Sequence, residues 1–281
     1  MDLTQKTRDF ALQWDADLVG IAPVDRFENA PPGRRPQDLL PAARSVVAIG
    51  VVINKGVMNA NRIAFHGLRH AIFPYMVYGY TQINDQLTAI AHHLSRMLER
   101  EGHVTLPIPP SSPADGLTSM AAFSNRHASV AAGLGQFGWN ALLITPQVGS
   151  RLRLVSLITE ADLRPDPLST GEPICDVEKC RYACVRVCPT GALSIDKGAE
   201  FNIGGHEFRY GITDKWKCKL GVGGIAKGAM GVTQLPVPNE MTPELFLELS
   251  RKEDVWQRAE YAALGRTSYC GRCIEACPVG R

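Results

Sequence analysis

The stretch "GLGQFG", residues 133–138, satisfies G-x-G-x-x-G, the glycine pattern that cradles a pyrophosphate in dinucleotide-binding folds. In those folds a strand runs into the glycines and a helix leaves them, so that the helix N-terminus faces the phosphates. Here the order is inverted. "NRHASVAA" (125–132) precedes the glycines, is Ala-rich without a breaker and reads as helix; "WNALLIT" (139–145) follows as a short apolar run that reads as a buried strand. Acidic residues do lie about twenty positions on, at Glu160 and Asp162. Asp and Glu are too common for that to outweigh the inverted order. A glycine after a helix is the ordinary residue of a C-cap, which accounts for Gly133 but leaves Gly135 and Gly138 to be explained.

Outward from that segment, strands and helices alternate. Residues 3–14 read as a helix and "ADLVGIAPV" (16–24) as a buried strand. The loop "NAPPGRRPQ" (29–37) leads into "ARSVVAIGVVI" (43–53), a strand long and apolar enough to lie at the centre of a sheet. A long amphipathic helix is expected from Tyr80 to Glu101, with Ile83, Leu87, Ile90, Leu94 and Met97 on one face. "VTLPIP" (104–109), "NALLIT" (140–145) and "RLRLVSLIT" (151–159) read as further strands. This alternation predicts a layered α/β (α+β) core. At "RPDPLSTGEP" (164–173) the composition shifts to proline and polar turn residues, which sets the expected division at residues 1–165 and 166–281.

The chain has 281 residues, 45% of them hydrophobic, enough to bury a full core in one large domain or two. Its first residues, "MDLTQKTRDFALQWDADL", carry acids and no apolar core of a signal peptide, and no run of eighteen apolar residues follows. The Arg34–Arg35 pair has no apolar run behind it, so an export signal is not expected either. The expectation is a cytoplasmic protein without a membrane span. A formal charge of +2 is too small to point to a polyanionic partner.

All eight cysteines stand at or beyond residue 175. In a reducing compartment clustered thiols more often bind metal than form disulfides. "CDVEKCRYACVRVCP" supplies Cys175, Cys180, Cys184 and Cys188; "CGRCIEACP" supplies Cys270, Cys273 and Cys277; Cys218 stands between them. Both groups end in C-x-x-x-C-P. In two-cluster ferredoxins the cysteine before the proline ligates the other cluster. Transferred here, that crossing assigns Cys175, Cys180, Cys184 and Cys277 to one [4Fe–4S] cluster and Cys188, Cys218, Cys270 and Cys273 to a second, consuming all eight. The first group departs from the common C-x-x-C-x-x-C spacing, with four and three residues in its first two gaps. A zinc site around Cys270 and Cys273, or disulfides, are the alternatives.

The run "RHASVAAGLGQFGWNALLITPQVGSRLRLVSLITEADL" (126–163), followed by these cysteine groups, resembles the shared core of epoxyqueuosine reductases and reductive dehalogenases. The resemblance implies a nitroreductase-like cobalamin-binding domain joined to a ferredoxin-like domain with two clusters. It implies an oxidoreductase that takes electrons from an external ferredoxin- or flavodoxin-type donor and passes them through the clusters to a corrinoid, which reduces a small-molecule substrate. Under it, Gly133, Leu134, Gly135, Gly138, Asn140 and Thr145 are expected to line the corrinoid, Gly135 and Gly138 by letting backbone approach it closely. Two departures stand out. The catalytic aspartate expected ahead of "AGLG" has as its sole counterpart Asp115, a few residues too early, and the chain ends at Arg281 without the helical-repeat extension that grips tRNA, so a tRNA substrate is not expected.

Reductive bond cleavage needs a proton donor. "FHGLRHAIFPYMVYGY" (65–80) contains His66, His70, Tyr75, Tyr78 and Tyr80; Tyr75 from this stretch and His127 beside the glycines are the catalytic candidates, while His92 and His93 read as solvated. Two other functions fit the same residues: an electron-transfer or corrinoid-reactivating protein without its own small-molecule substrate, and a cluster-fed flavin reductase.

Overall fold

The computed structural model describes residues 2–111, 118–254, 258 and 268–281. Its central element is a four-stranded sheet of β1 (Leu18–Pro23), β2 (Ser45–Val52), β3 (Thr105–Ile108) and β6 (Leu152–Thr159), in the order β1-β2-β6-β3. Every pairing is antiparallel, with Ser45 opposite Thr159 and Val52 opposite Leu152 along the central pair. The alternation of strands and helices therefore builds a mixed α/β protein around an antiparallel sheet.

The apolar runs of β2 and β6 are nearly continuous because both faces of the sheet are covered. Val47, Ile49, Val51, Val155 and Leu157 point to one face, where they meet Leu87, Ile90, Leu94 and Leu98 of the long helix α5 (Gln82–Arg100). One residue along, Val46, Ala48 and Ile158 point to the other face and pack on Ala128, Val130 and Ala131 of α6 (Asn125–Ala131). The period-2 geometry of a strand thus divides a single sequence run between two cores. Helix α1 (Leu3–Gln13) is capped by the Asp2 carboxylate, and α3 (Lys55–Phe65) packs near the short helix α4 (Phe73–Met76), which continues through a π-helical turn, Val77–Thr81, into α5.

The run after the glycines differs from expectation. Only Leu143–Ile144 (β5) is strand, and it pairs with Gln136–Phe137 (β4) rather than with the main sheet. A hairpin of β7 (Leu193–Ile203) and β8 (His206–Thr213) follows, turned at Gly204 and Gly205, both with positive φ as a two-residue hairpin loop requires. Ile203 and Phe208 of this hairpin join the same core as α6, while Tyr269 and Ile274 join the core under α5. Apolar residues from both sides of the 164–173 segment therefore share cores. The remaining helices used below are α9 (Lys215–Val222) and the single turns Val177–Cys180, Ala183–Arg186 and Arg272–Glu275. Among the described residues no helix is long and apolar enough to cross a membrane.

Candidate metal and cofactor site

Short capped turns present the cysteines. Asp176 caps the turn Val177–Cys180 by accepting the Lys179 N–H at 2.8 Å. Arg181 and Tyr182 then both take left-handed backbone conformations, φ 50° and 52°, before the turn that carries Cys184. Consecutive left-handed residues with side chains are costly and reverse the chain sharply. Here they fall in the second of the wide gaps of the group, between Cys180 and Cys184. Asp214 caps α9 through the Trp216 and Lys217 N–H groups, at 3.1 and 3.0 Å, and so fixes Cys218 within its first turns.

All eight thiols are free. Burial pushes Cys184 up to about 12, and the neighbouring Cys175, Cys180 and Cys277 add to the rise. Cys175 is raised by burial, opposed by the Trp139 N–H, with Cys180 and Cys277 again adding. Burial likewise pushes Cys218 up to about 12, with Cys270 and Cys188 reinforcing it, and Cys270 up to about 11, with Cys188 reinforcing it. Cys273 is raised well above the ordinary thiol range by burial and then by Cys270, Cys218, Cys188 and Cys184. These influences fall mainly within two sets, Cys175, Cys180, Cys184 and Cys277 on one side and Cys188, Cys218, Cys270 and Cys273 on the other, with Cys184 also reaching Cys273. Among the described residues no group of three or more His, Cys, Asp or Glu side chains gathers as ligands of a single ion would.

The glycine segment packs closely against its own chain. Gly133, at φ 74°, ends α6 in a Schellman-type cap: its N–H donates to Val130 and the Leu134 N–H to Ser129. A side chain on Gly133 would lie 2.0 Å from the Pro167 carbonyl oxygen, one on Gly135 2.3 Å from that of Ile144, and one on Gly138 2.1 Å from the Ile144 side chain. The space a side chain would need at these glycines is taken by the chain itself. Asn140 is buried and spends its amide on Ser150 Oγ and the Cys273 carbonyl, each at 3.3 Å; Thr145 is buried and accepts the Val148 N–H; Leu134 packs on the α6 core beside Gly20. These residues tie the α/β layer to the cysteine turns.

Tyr75 is buried against the second cysteine set: a side chain on Gly271 would sit 2.4 Å from its Cζ. Burial holds its hydroxyl above the usual range, with Cys270 and Cys273 contributing and Arg153 opposing. His127 lies instead in an aromatic cage of Phe137, Phe201 and Tyr210, with ring centroids 4.9, 5.1 and 5.9 Å away. Burial, helped by Arg126, lowers it to about 4. His127 is therefore enclosed by rings and uncharged at pH 7. Tyr80 lies under the Arg153 guanidinium at 4.4 Å, His66 Nδ1 is 2.7 Å from the Arg62 carbonyl, and Tyr78 is exposed. His93 is not simply solvated, since it stacks on Trp14 at 4.0 Å. Asp115 lies outside the described residues.

Two residues go unnoticed in the sequence. Trp139 donates its backbone N–H to Cys175 Sγ at 3.3 Å, and the enclosed Arg126 guanidinium donates to the Ala141 carbonyl at 2.5 Å within reach of the Cys218 charge. Backbone donors carry no side-chain signature, so only the position of Trp139, directly after Gly138, hinted at it.

The epoxyqueuosine reductase of Bacillus subtilis superposes on this chain with a TM-score of 0.56, covering 99% of it and 65% of the enzyme at 20% identity. The chain has the epoxyqueuosine reductase fold. A reductive dehalogenase described for B12-dependent dehalogenation shares it, with a TM-score of 0.54 over 92% of this chain and 36% of that protein at 17% identity. In sequence, the epoxyqueuosine reductase of Bacillus cereus is 30% identical over 161 residues, 56% of this chain and 38% of the relative. No family model matches. The resemblance carried by residues 126–163 and the cysteines therefore holds in sequence and in fold. Because the chain spans well under half the length of this relative, its end at Arg281 says nothing about a tRNA-gripping extension, and the expectation against tRNA loses its basis.

Proposed function

We propose that this protein is an iron–sulfur, corrinoid-dependent reductase similar to epoxyqueuosine reductase. In this reading residues 1–165 form the nitroreductase-like corrinoid-binding domain and residues 166–281 the ferredoxin-like domain. The observation that carries it is eight free thiols on short turns whose mutual influence falls mainly within two sets of four, Cys184 also reaching Cys273, with each set combining cysteines from both C-x-x-x-C-P groups. Thiols so desolvated favour their neutral form unless cationic metal compensates the thiolates. A cubane shares its cysteines among different irons, so the ligands of one cluster need not crowd as those of a single ion do.

Cys175, Cys180, Cys184 and Cys277 would hold one [4Fe–4S] cluster and Cys188, Cys218, Cys270 and Cys273 the other. When bound, the clusters supply one-electron transfer from a ferredoxin- or flavodoxin-type donor, and the corrinoid supplies a strongly reducing cobalt centre. Asn140 holds the Cys273 turn against the α/β layer. Tyr75, kept protonated by burial beside Gly271, is the retained proton donor for the leaving group, its hydroxyl oxygen releasing the proton. The substrate is a small molecule or a nucleoside within tRNA.

The test is the content of protein made anaerobically with added cobalamin. About eight irons and one cobalt per chain are expected. Absence of iron refutes the reading. Eight irons without cobalt or flavin would favour an electron-transfer protein, and a flavin spectrum a flavin reductase.

A further inference from the structure

Trp139 stands where the glycine segment meets the first cysteine set, and more of the structure converges on it than its packing alone requires. Its backbone N–H donates to Cys175 Sγ at 3.3 Å. Its indole Nε1–H donates to the Ser194 carbonyl at 2.9 Å, the Arg209 guanidinium lies over the ring at 5.0 Å, and Tyr182 meets the ring edge-on at 5.4 Å. Beneath it lies a pair of glycines: Gly198 and Gly211 are directly opposite in the β7–β8 register. A side chain on Gly198 would come within 3.0 Å of indole Cη2, and one on Gly211 within 2.2 Å of the Trp139 carbonyl oxygen. Glycine weakens a strand interior and marks close approach of another group. Here two strands give up side chains at the same level, and the slot so made is occupied by residue 139.

Such a clamp fixes the Trp139 backbone, not merely its ring, and what that backbone presents is a donor to one cysteine sulfur. Reduction adds negative charge to an iron–sulfur cluster, and an N–H group aimed at a ligand sulfur stabilises the more negative state. We propose that Trp139 is a positioning residue which, seated in the Gly198–Gly211 slot, holds its N–H on Cys175 and raises the reduction potential of the cluster held by Cys175, Cys180, Cys184 and Cys277. This inference rests on the cluster reading above.

The test is an anaerobic redox titration of the cluster-loaded full chain, followed by absorption and spin resonance, with iron measured on each sample. Gly211→Ala forces the Trp139 carbonyl aside, and Trp139→Ala removes what the slot holds. In both, one of the two reduction waves should move to more negative potential while the other stays as an internal reference. Trp139→Phe, which still fills the slot and keeps the backbone N–H, should restore the wild-type wave. Should Gly211→Ala fail to fold, the Trp139→Ala and Trp139→Phe pair decides. Full iron with neither wave moved, or with both moved alike, overturns the assignment. A wild-type chain without iron or reduction waves refutes the cluster reading itself and is told apart by the iron measurement.

Discussion

Lowering the pH should destabilise the protein through His127, and the structure sets how far. In the folded chain burial and Arg126 lower this imidazole from 6.5 to about 4. The unfolded chain keeps the ordinary value, so between those limits the unfolded state binds more protons than the folded one. The associated stability is present above pH 6.5 and is lost as pH falls toward 4. Lowering the imidazole from 6.5 to about 4 corresponds to about 3 kcal/mol. The Ser124 hydroxyl accepts the His127 backbone N–H at 3.3 Å and lies 2.7 Å from Nδ1. Charging the ring buries a positive charge beside Arg126. The measurement is urea unfolding from pH 7.5 to 4.5 for wild type and His127→Phe, which fills the cage without titrating. Acid effects on the cysteines and carboxylates are common to both proteins, so the difference isolates His127. Wild type should lose about 2–3 kcal/mol relative to the variant across that range. Parallel stability curves would show that His127 is hydrated and free to charge, and would reopen its candidacy as a proton donor.

Cys218→Ala should lower bound iron by about half if α9 contributes a ligand to the second cluster, and unchanged iron refutes that ligand set. Gly133→Ala should cost about 2–4 kcal/mol in thermal or urea unfolding, since the left-handed conformation alone costs about 1–2 and the new methyl group meets the Pro167 carbonyl. Asp166→Ala should cost about 2–3 kcal/mol, because its carboxylate accepts from Arg8 at 2.6 Å and from the Ile21 N–H at 2.8 Å and so pins α1, β1 and the connecting segment together. Tyr75→Phe should keep iron and fold while turnover falls about 100-fold or more, and full turnover would remove Tyr75 from the reaction.

The strands at 43–53 and 151–159 were legible because a continuous apolar run can only be buried on both faces, and α5 was legible from its single stripe of Ile and Leu. The inverted order around "GLGQFG" was legible too, since the helix α6 does run into Gly133. What could not be read locally is what fills the space beside Gly135 and Gly138. That depends on Ile144, which folds back through a two-residue strand pair too short to leave a pattern. The β7–β8 hairpin did leave a signal, Gly204–Gly205 between alternating residues, but Asp196, Lys197 and Glu200 hide its apolar face from any simple periodicity.

Close approaches of the same kind hold the cysteine turns on the α/β layer. A side chain on Gly149 would lie 2.1 Å from the Val279 carbonyl oxygen, and one on Gly280 2.4 Å from the Gly149 nitrogen. Backbone therefore meets backbone where the last cysteine turn sits on the loop that follows the glycine segment. Asn140 binds the Cys273 carbonyl, and Trp139 binds Cys175, from adjacent positions in that same segment. One short stretch of the first region thus holds a cysteine turn from each end of the second. Packed backbone of this kind does not deform gradually, so the relative placement of the two cysteine sets is fixed by the α/β layer, which is the rigidity that a preorganised redox site requires.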